Sequence, residues 1–451
     1  MAARNAPRFA TRAVALLKWD EANLEARLCR ALEVAEKTIN YFAVGGYTDK
    51  QAPVFGFGPE KPTAETAMLI YAASALGHRP NVAGRVAELA RALAPHVRSD
   101  RVLVDIALHP TLALKFAVPH ILLSKLGYQD ETYDALLRSC LCSQVRDGHD
   151  RPPSALVEKR WILSLWSGGD TRRVCRADLV ESVLRWPLDI LEGLRDDAYA
   201  FTHLIMYCTD FGFQNCRLPR RRSVILGEAA SLLTRYIDVE DYDLAGEILL
   251  TWPLTGAPWS ATAAFAFRVL ANVEDQVGLL PCGNINQNRL TQLEGEERAR
   301  YALGTAYHTA YVMGFLCAAT LRPGRSPPTR IVGPLYVRSF LDRLLAYVDD
   351  DQGHWQPVFA GLTGQEQQVL TPFILDIAVM QSCRRRDYQA VSEILSLASE
   401  QPIAGSAMCR QAAELLERIA DCSTALSLRQ EGKSIEETSP PYADPVTSLQ
   451  A

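Results

Sequence analysis

The chain has 451 residues, 48% hydrophobic and 22% charged, with a net charge of −5 and an isoelectric point near 6.0. That is the composition of a globular protein burying a large core, and its mild acidity excludes the broad basic footprint of a nucleic-acid binder. The eleven cysteines form no C-x2-C pair, so neither a zinc knuckle nor a disulfide framework is expected, and reduced thiols fit a cytoplasmic setting.

Residues 1–62 read as an N-terminal helical segment. Its first apolar stretch, Ala13 to Leu17, is too short for a signal-peptide core. No run of about 18 uncharged apolar residues follows anywhere, so no membrane span is expected. From Ala22 to Ala43, residues Leu24, Leu28, Ala31, Leu32, Ala35, Ile39 and Phe42 recur at the three- and four-residue spacing of a helix face. Thr63 before Ala64 and Glu65 gives a helix-start signal, and Pro80 a stop.

From there to residue 430 the chain reads as one α/α repeat domain. Apolar helices end at Gly77, Gly127, Gly168, Gly212 and Gly256, spaced by 50, 41, 44 and 44 residues. Glycine suits the left-handed residue that closes a helix, and a more polar amphipathic helix follows each turn. A period of about 40 to 50 residues with two helices per unit marks a helical-hairpin array. The fold class is therefore all-α. One helix of each pair is much more apolar than its partner, which favours a closed α/α toroid with an apolar inner ring. The alternative is an open HEAT-like solenoid. The tail 431–451 is polar and proline-rich, the pattern of a disordered segment. The basic runs at 219–222 and 384–386 read as solvated turns.

Three segments carry chemistry. In D-D-A-Y-A-F-T-H-L-I-M-Y-C-T-D-F-G, Asp196, His203 and Asp210 are seven and seven residues apart, with Tyr199 and Tyr207 four residues to either side of His203. On a continuous helix these share one face, and a buried charge must pair, reach water or meet a ligand. His203 is the candidate general base, oriented by Asp196 or Asp210, with Tyr207 and the His308 described next as candidate acids or hydrogen-bond donors; a satisfied ladder between helices is the other reading. In R-A-R-Y-A-L-G-T-A-Y-H-T-A-Y-V-M-G, residues Tyr301, Thr305, His308 and Thr309 form a second polar stripe, with Gly304 and Gly314 permitting close contact. Closure of the ring would let His308 and His203 face one cavity. Upstream, Asn286 and Asn288 lie in an amide-rich loop that either is solvent-exposed turn chemistry or supplies neutral contacts to a polar substrate. In L-H-P-T-L-A-L-K-F-A-V-P-H, Lys115 either snorkels outward or holds an anionic group, near His120. No local ligand pair has chelating spacing and no cofactor fingerprint is present, so neither metal nor cofactor is expected.

The motifs T-H-L-I-M-Y-C-T-D-F-G, Y-H-T-A-Y-V-M-G and H-P-T-L-A-L-K-F-A-V-P-H, across Leu103 to Cys317, resemble a poorly characterised family of helical proteins encoded in bacterial natural-product gene clusters. The resemblance implies tailoring of a small biosynthetic intermediate. Ring closure or elimination on an amino-acid-derived or carrier-protein-bound chain would fit, as in the aziridine-forming steps of azinomycin-type pathways. The expected function is thus a cofactor-independent cyclase or lyase using acid–base groups, its partner a small molecule or carrier-bound substrate. The alternative is a non-catalytic helical scaffold that holds a partner protein in a groove.

Overall fold

The computed structural model describes residues 20–42, 58, 60–141, 152–168, 179–283, 285–349, 353–401, 403 and 405–430. The tail read as disordered lies outside the described residues. Among those residues the fold is all-α, with no strand.

Helix α1 (Glu21–Phe42) buries the stripe read from the sequence, Leu24, Leu28, Ala31, Leu32, Ala35, Ile39 and Phe42. The helix expected from Thr63 begins three residues earlier, as α2 (Glu60–Ala73). Pro80 occupies the first turn of α3 (Pro80–Val97), where its missing N–H has no partner to lose. Then come α4 (Asp100–Leu108), α5 (Ala113–Lys125), α6 (Glu131–Leu141), α7 (Pro153–Ser167) and α8 (Arg195–Cys208). The middle of the chain holds α9 (Arg222–Asp238), α10 (Tyr242–Leu249), α11 (Thr251–Thr255), α12 (Ala261–Val277), α13 (Gln287–Gln292) and the long α14 (Gly295–Thr320). Beyond it lie α15 (Arg338–Leu345), α16 (Trp355–Ala360), α17 (Gly364–Val369), α18 (Thr371–Arg384), α19 (Tyr388–Ser399) and α20 (Ala407–Gln430).

Four of the five punctuating glycines take the left-handed conformation, with φ of 93° at Gly127, 69° at Gly168, 82° at Gly212 and 63° at Gly256. Gly77 differs. Its φ is −57°, because it closes a short 3-10 turn whose geometry stays right-handed.

Six helices meet in a cycle: α2 packs on α5, α5 on α7, α7 on α8, α8 on α10, α10 on α14, and α14 on α2. Outside it, α1 packs on α14 and α3, α4 and α6 on α5, and α9 and α12 on α10. This layering accounts for the alternation of apolar and amphipathic helices. α5 buries nine of its residues while its outer neighbour α6 buries only Tyr133 and Leu137. Helix α1, within the stretch read as an N-terminal helical segment, lies along α14, and its fully buried Arg27 pairs with Glu274 and, at 2.7 Å, with Asp275 of α12. The two basic runs are ion-paired at Arg220 with Glu228, Arg384 with Asp238 and Arg385 with Asp349.

Close approach in the cycle depends on two glycines. A Cβ on Gly314 would stand 2.7 Å from Ala31 Cβ, and one on Gly246 would stand 2.4 Å from Val312 Cγ1. Val312 is β-branched and stiff, so α10 and α14 would have to part. Gly246→Ala is expected to lower stability by about 1–3 kcal/mol, read by urea denaturation of the full chain.

Asp376 on α18 is buried and accepts hydrogen bonds from Ser231 of α9 at 2.7 Å and Ser406 at 2.8 Å. Burial pushes its carboxyl up to about 6. A folded-state value above the unfolded one stabilises below the unfolded pKa, and that contribution is lost as pH rises through about 6. Asp376→Asn should therefore be more stable than the parent at pH 7, by on the order of 2–3 kcal/mol. That advantage should vanish near pH 4, as measured by chemical denaturation at both pH values.

Candidate active site

The six cyclic helices each send at least one side chain into one cavity of about 430 Å³. Its polar groups are Glu60, Lys61 and Glu65 from α2, Lys115 from α5, Glu158 from α7, His203 and Tyr207 from α8, Glu247 from α10 and His308 from α14. The rest of the wall is largely apolar, including Met68, Phe116, Met206, Phe211, Val312 and Phe315.

Helical spacing explains the convergence. His203 and Tyr207 are one turn apart on α8, and Asp243 and Glu247 one turn apart on α10. Glu247 links the two histidines. His203 Nε2 lies 3.6 Å from its Oε2, and His308 Nε2 lies 3.4 Å from its Oε1. His308 Nε2 is also 3.3 Å from Asp243 Oδ1, and its Nδ1 is 3.2 Å from Glu65 Oε2. Hydroxyls brace the acids from behind: Thr202 donates to Glu247 Oε2 at 2.6 Å and Tyr199 to Asp243 Oδ2 at 2.6 Å. Tyr207 donates to Glu158 Oε1 at 3.0 Å.

The electrostatics follow from crowding four carboxylates around two imidazoles. Burial opposes the charged form of His308, but Glu65, Asp243 and Glu247 outweigh it and hold its pKa well above the usual imidazole value. His203 is raised too, burial again being outweighed by Glu247 and then Glu158. Burial works against the Glu247 carboxylate, yet both histidines pull its pKa far down. Asp243 goes the other way, raised by burial and by its ionised neighbour Glu247 despite His308. Glu247 is the committed anion of the pair. Tyr207 is pushed well above the phenol range by burial and by Glu158.

The cavity gathers His203, His308, Tyr207 and Lys115. The other sequence candidates sit elsewhere. Helix α8 ends at Cys208, and Asp210 follows in a left-handed turn with φ of 49°, so the seven-and-seven stripe breaks. Asp210 instead accepts from Trp161 at 2.8 Å and from Tyr71 at 3.1 Å, away from the histidines. Asp196 is exposed at the start of α8, in a second pocket that touches the far side of His203. Tyr199 meets the site through its bond to Asp243 and a tilted ring contact with His203 at 6.0 Å. His120, with no exposed surface, takes a hydrogen bond from Arg98 at 3.1 Å, approaches Asp134 at 3.0 Å and stacks on Tyr133. Thr305 and Thr309 donate to backbone carbonyls of Tyr301 and Leu280. The Tyr301 hydroxyl accepts from the Asn286 amide, Asn286 caps α13, and Asn288 is exposed.

Glu65, Glu158, Asp243 and Glu247 are the site groups that the sequence reading does not single out. Glu65 reads as a helix-start acid only while the helix begins at Thr63. With the start at Glu60 it lies in the second turn, facing inward. Asp243 and Glu247 carried a usable signal: an i, i+4 acid pair inside the apolar stretch Y-D-L-A-G-E-I-L.

Residues 28–318 match a family described as a domain of unknown function, DUF6895. The chain belongs to that family. The match runs from within α1 to near the end of α14 and so contains every helix of the cycle. No curated protein and no solved structure matches the chain.

Truncating the two histidines of α5 and α8 separates framework from site. His120→Ala strands Arg98 Nε, leaves Asp134 to Trp166 alone, and should cost about 1–3 kcal/mol for the group left unsatisfied. His203, whose side chain is 39% exposed and lines the cavity, should cost clearly less on truncation. Thermal denaturation of the two variants gives the comparison; equal losses would make His203 a framework residue.

Proposed function

We propose that the protein is an enzyme that moves protons on a small, largely apolar molecule held in the cavity, and that the six-helix cycle is the inner ring of a closed α/α toroid. The observation that carries this reading is the convergence of His203, His308 and their shared Glu247 on one cavity with apolar walls. A scaffold for a partner protein would instead spread its polar groups along an exposed groove.

In this reading His203, backed by Glu247, carries the proton to or from the reacting atom. Tyr207, its hydroxyl tied to Glu158, supplies a hydrogen-bond donor to a developing negative charge. The apolar wall keeps water from competing. Positioned acid–base groups contribute on the order of 10²–10⁴-fold, sufficient for ring closure or elimination on an activated amino-acid-derived intermediate. Lys61 and Lys115, both lining the cavity and solvent-exposed, suit an anionic end such as the phosphate of a carrier arm. Natural-product tailoring is the setting we assign to this chemistry.

The test is metabolite comparison of a host strain with the gene deleted and restored. One intermediate should accumulate on deletion and be converted by the purified protein. His203→Ala and Tyr207→Phe should each slow that conversion by about 10²-fold or more with little change in melting temperature. Unchanged metabolites, or full turnover by both variants, would refute the assignment.

A further inference from the structure

We propose that Asp243, Glu247 and His308 form a binding site for one divalent first-row transition-metal ion at the edge of the cavity, which Glu247 and His308 line. The inference goes beyond the acid–base reading, and it stands without it, because the ligands are set by α10 and α14 whatever the substrate. It also departs from the sequence expectation of no metal, which weighed histidine and cysteine spacings but not the acid pair of α10.

Three observations carry it. The first is spacing. One donor atom from each residue lies within 4.8 Å of the other two, and His308 Nε2 stands 3.3 Å from Asp243 Oδ1 and 3.4 Å from Glu247 Oε1. Ligands about 2.0–2.2 Å from a common ion, at octahedral to tetrahedral angles, are separated by about 3.0–3.5 Å.

The second is satisfaction. Asp243 Oδ1 is buried with no hydrogen-bond partner, as are His308 Nδ1 and Glu65 Oε2, although those two atoms are only 3.2 Å apart. His308 Nδ1 and Glu65 Oε2 can serve each other, but Asp243 Oδ1 is left with no more than the approach of His308 Nε2 at 3.3 Å, a costly arrangement in a metal-free cavity. An ion on Asp243 Oδ1, with small rotation of the imidazole, gives each a partner.

The third is bracing. Each acid uses one oxygen for an outer hydroxyl, Tyr199 on Asp243 Oδ2 and Thr202 on Glu247 Oε2, and turns the other oxygen toward His308. Glu65 stands behind the far nitrogen of the same ring. A carboxylate behind a ligating histidine and donors behind ligating carboxylates are the outer contacts that orient metal ligands. Gly246, between the two acids, lets α10 approach α14 closely enough for the set to form.

One imidazole and two carboxylates suit Mn²⁺, Fe²⁺ or Zn²⁺; a thiolate-seeking ion such as Cu⁺ would find no sulfur among these ligands. Three protein ligands leave coordination positions for water or substrate.

The full chain, stripped with chelator and dialysed, would be titrated with MnCl₂, ZnCl₂ and CoCl₂. Expected are about one equivalent of metal per chain by elemental analysis, and a melting temperature raised by about 3 °C or more at saturation. Co²⁺ should also give a visible absorption band of a carboxylate–imidazole site. Asp243→Asn and Glu247→Gln keep an acceptor for Tyr199 and Thr202, so they should fold, as circular dichroism can verify, yet lose the metal and the thermal shift. Should one of them fail to fold, the other and the Co²⁺ spectrum of the parent still decide. No metal uptake by the parent, or equal uptake by the folded variants through other surface groups, would overturn the proposal. Metal content and melting temperature are independent of turnover, so the proposed activity can fail while this site stands, and the reverse.

Discussion

The structure turns on one buried anion. Glu247 is 3% exposed in its side chain, and an unpaired carboxylate there would be prohibitively costly. It persists because Thr202 donates to one oxygen while His203 and His308 approach from two other helices. Those contacts couple α8, α10 and α14 at their centre.

Around that anion, packing and chemistry impose opposite demands. The apolar faces of α5 and α14 pull the cycle together, while the cavity requires that it stop short of filling. Two small residues reconcile the demands. Gly314 lets α14 settle against α1 and α2, and Gly246 lets α10 settle against α14, so contact is tight beside the cavity and absent within it. Phe211, Phe315 and Met206 then close part of the wall. Asp210, gripped by Trp161 and Tyr71, pins the turn after α8 and holds His203 and Tyr207 in register.

The polar groups divide into two kinds by how completely they are satisfied. His120, Asp376, Thr305 and Thr309 have well-formed partners and act as framework. The groups near His308 do not, and their unmet capacity is what separates a site from a structural ladder. Residue type does not tell the two kinds apart: His120 and His308 look equally suggestive in the sequence.

The all-α class of the fold was legible in the chain, because helical spacing, glycine punctuation and the contrast of apolar with amphipathic helices are local properties. The burial pattern of α1 was legible residue by residue, and so was the pairing of His203 with Tyr207, a single turn apart. The stripe to Asp210 was not, since it assumed a helix that ends at Cys208. Which polar stripes meet depends on the packing of helices far apart in the chain. Glu65 and His308 are separated by most of the family domain, and no periodicity encodes the cycle that brings α2 against α14. The acid pair Asp243 and Glu247 was visible as a local pattern, but its role depends on the two histidines that other helices carry to it.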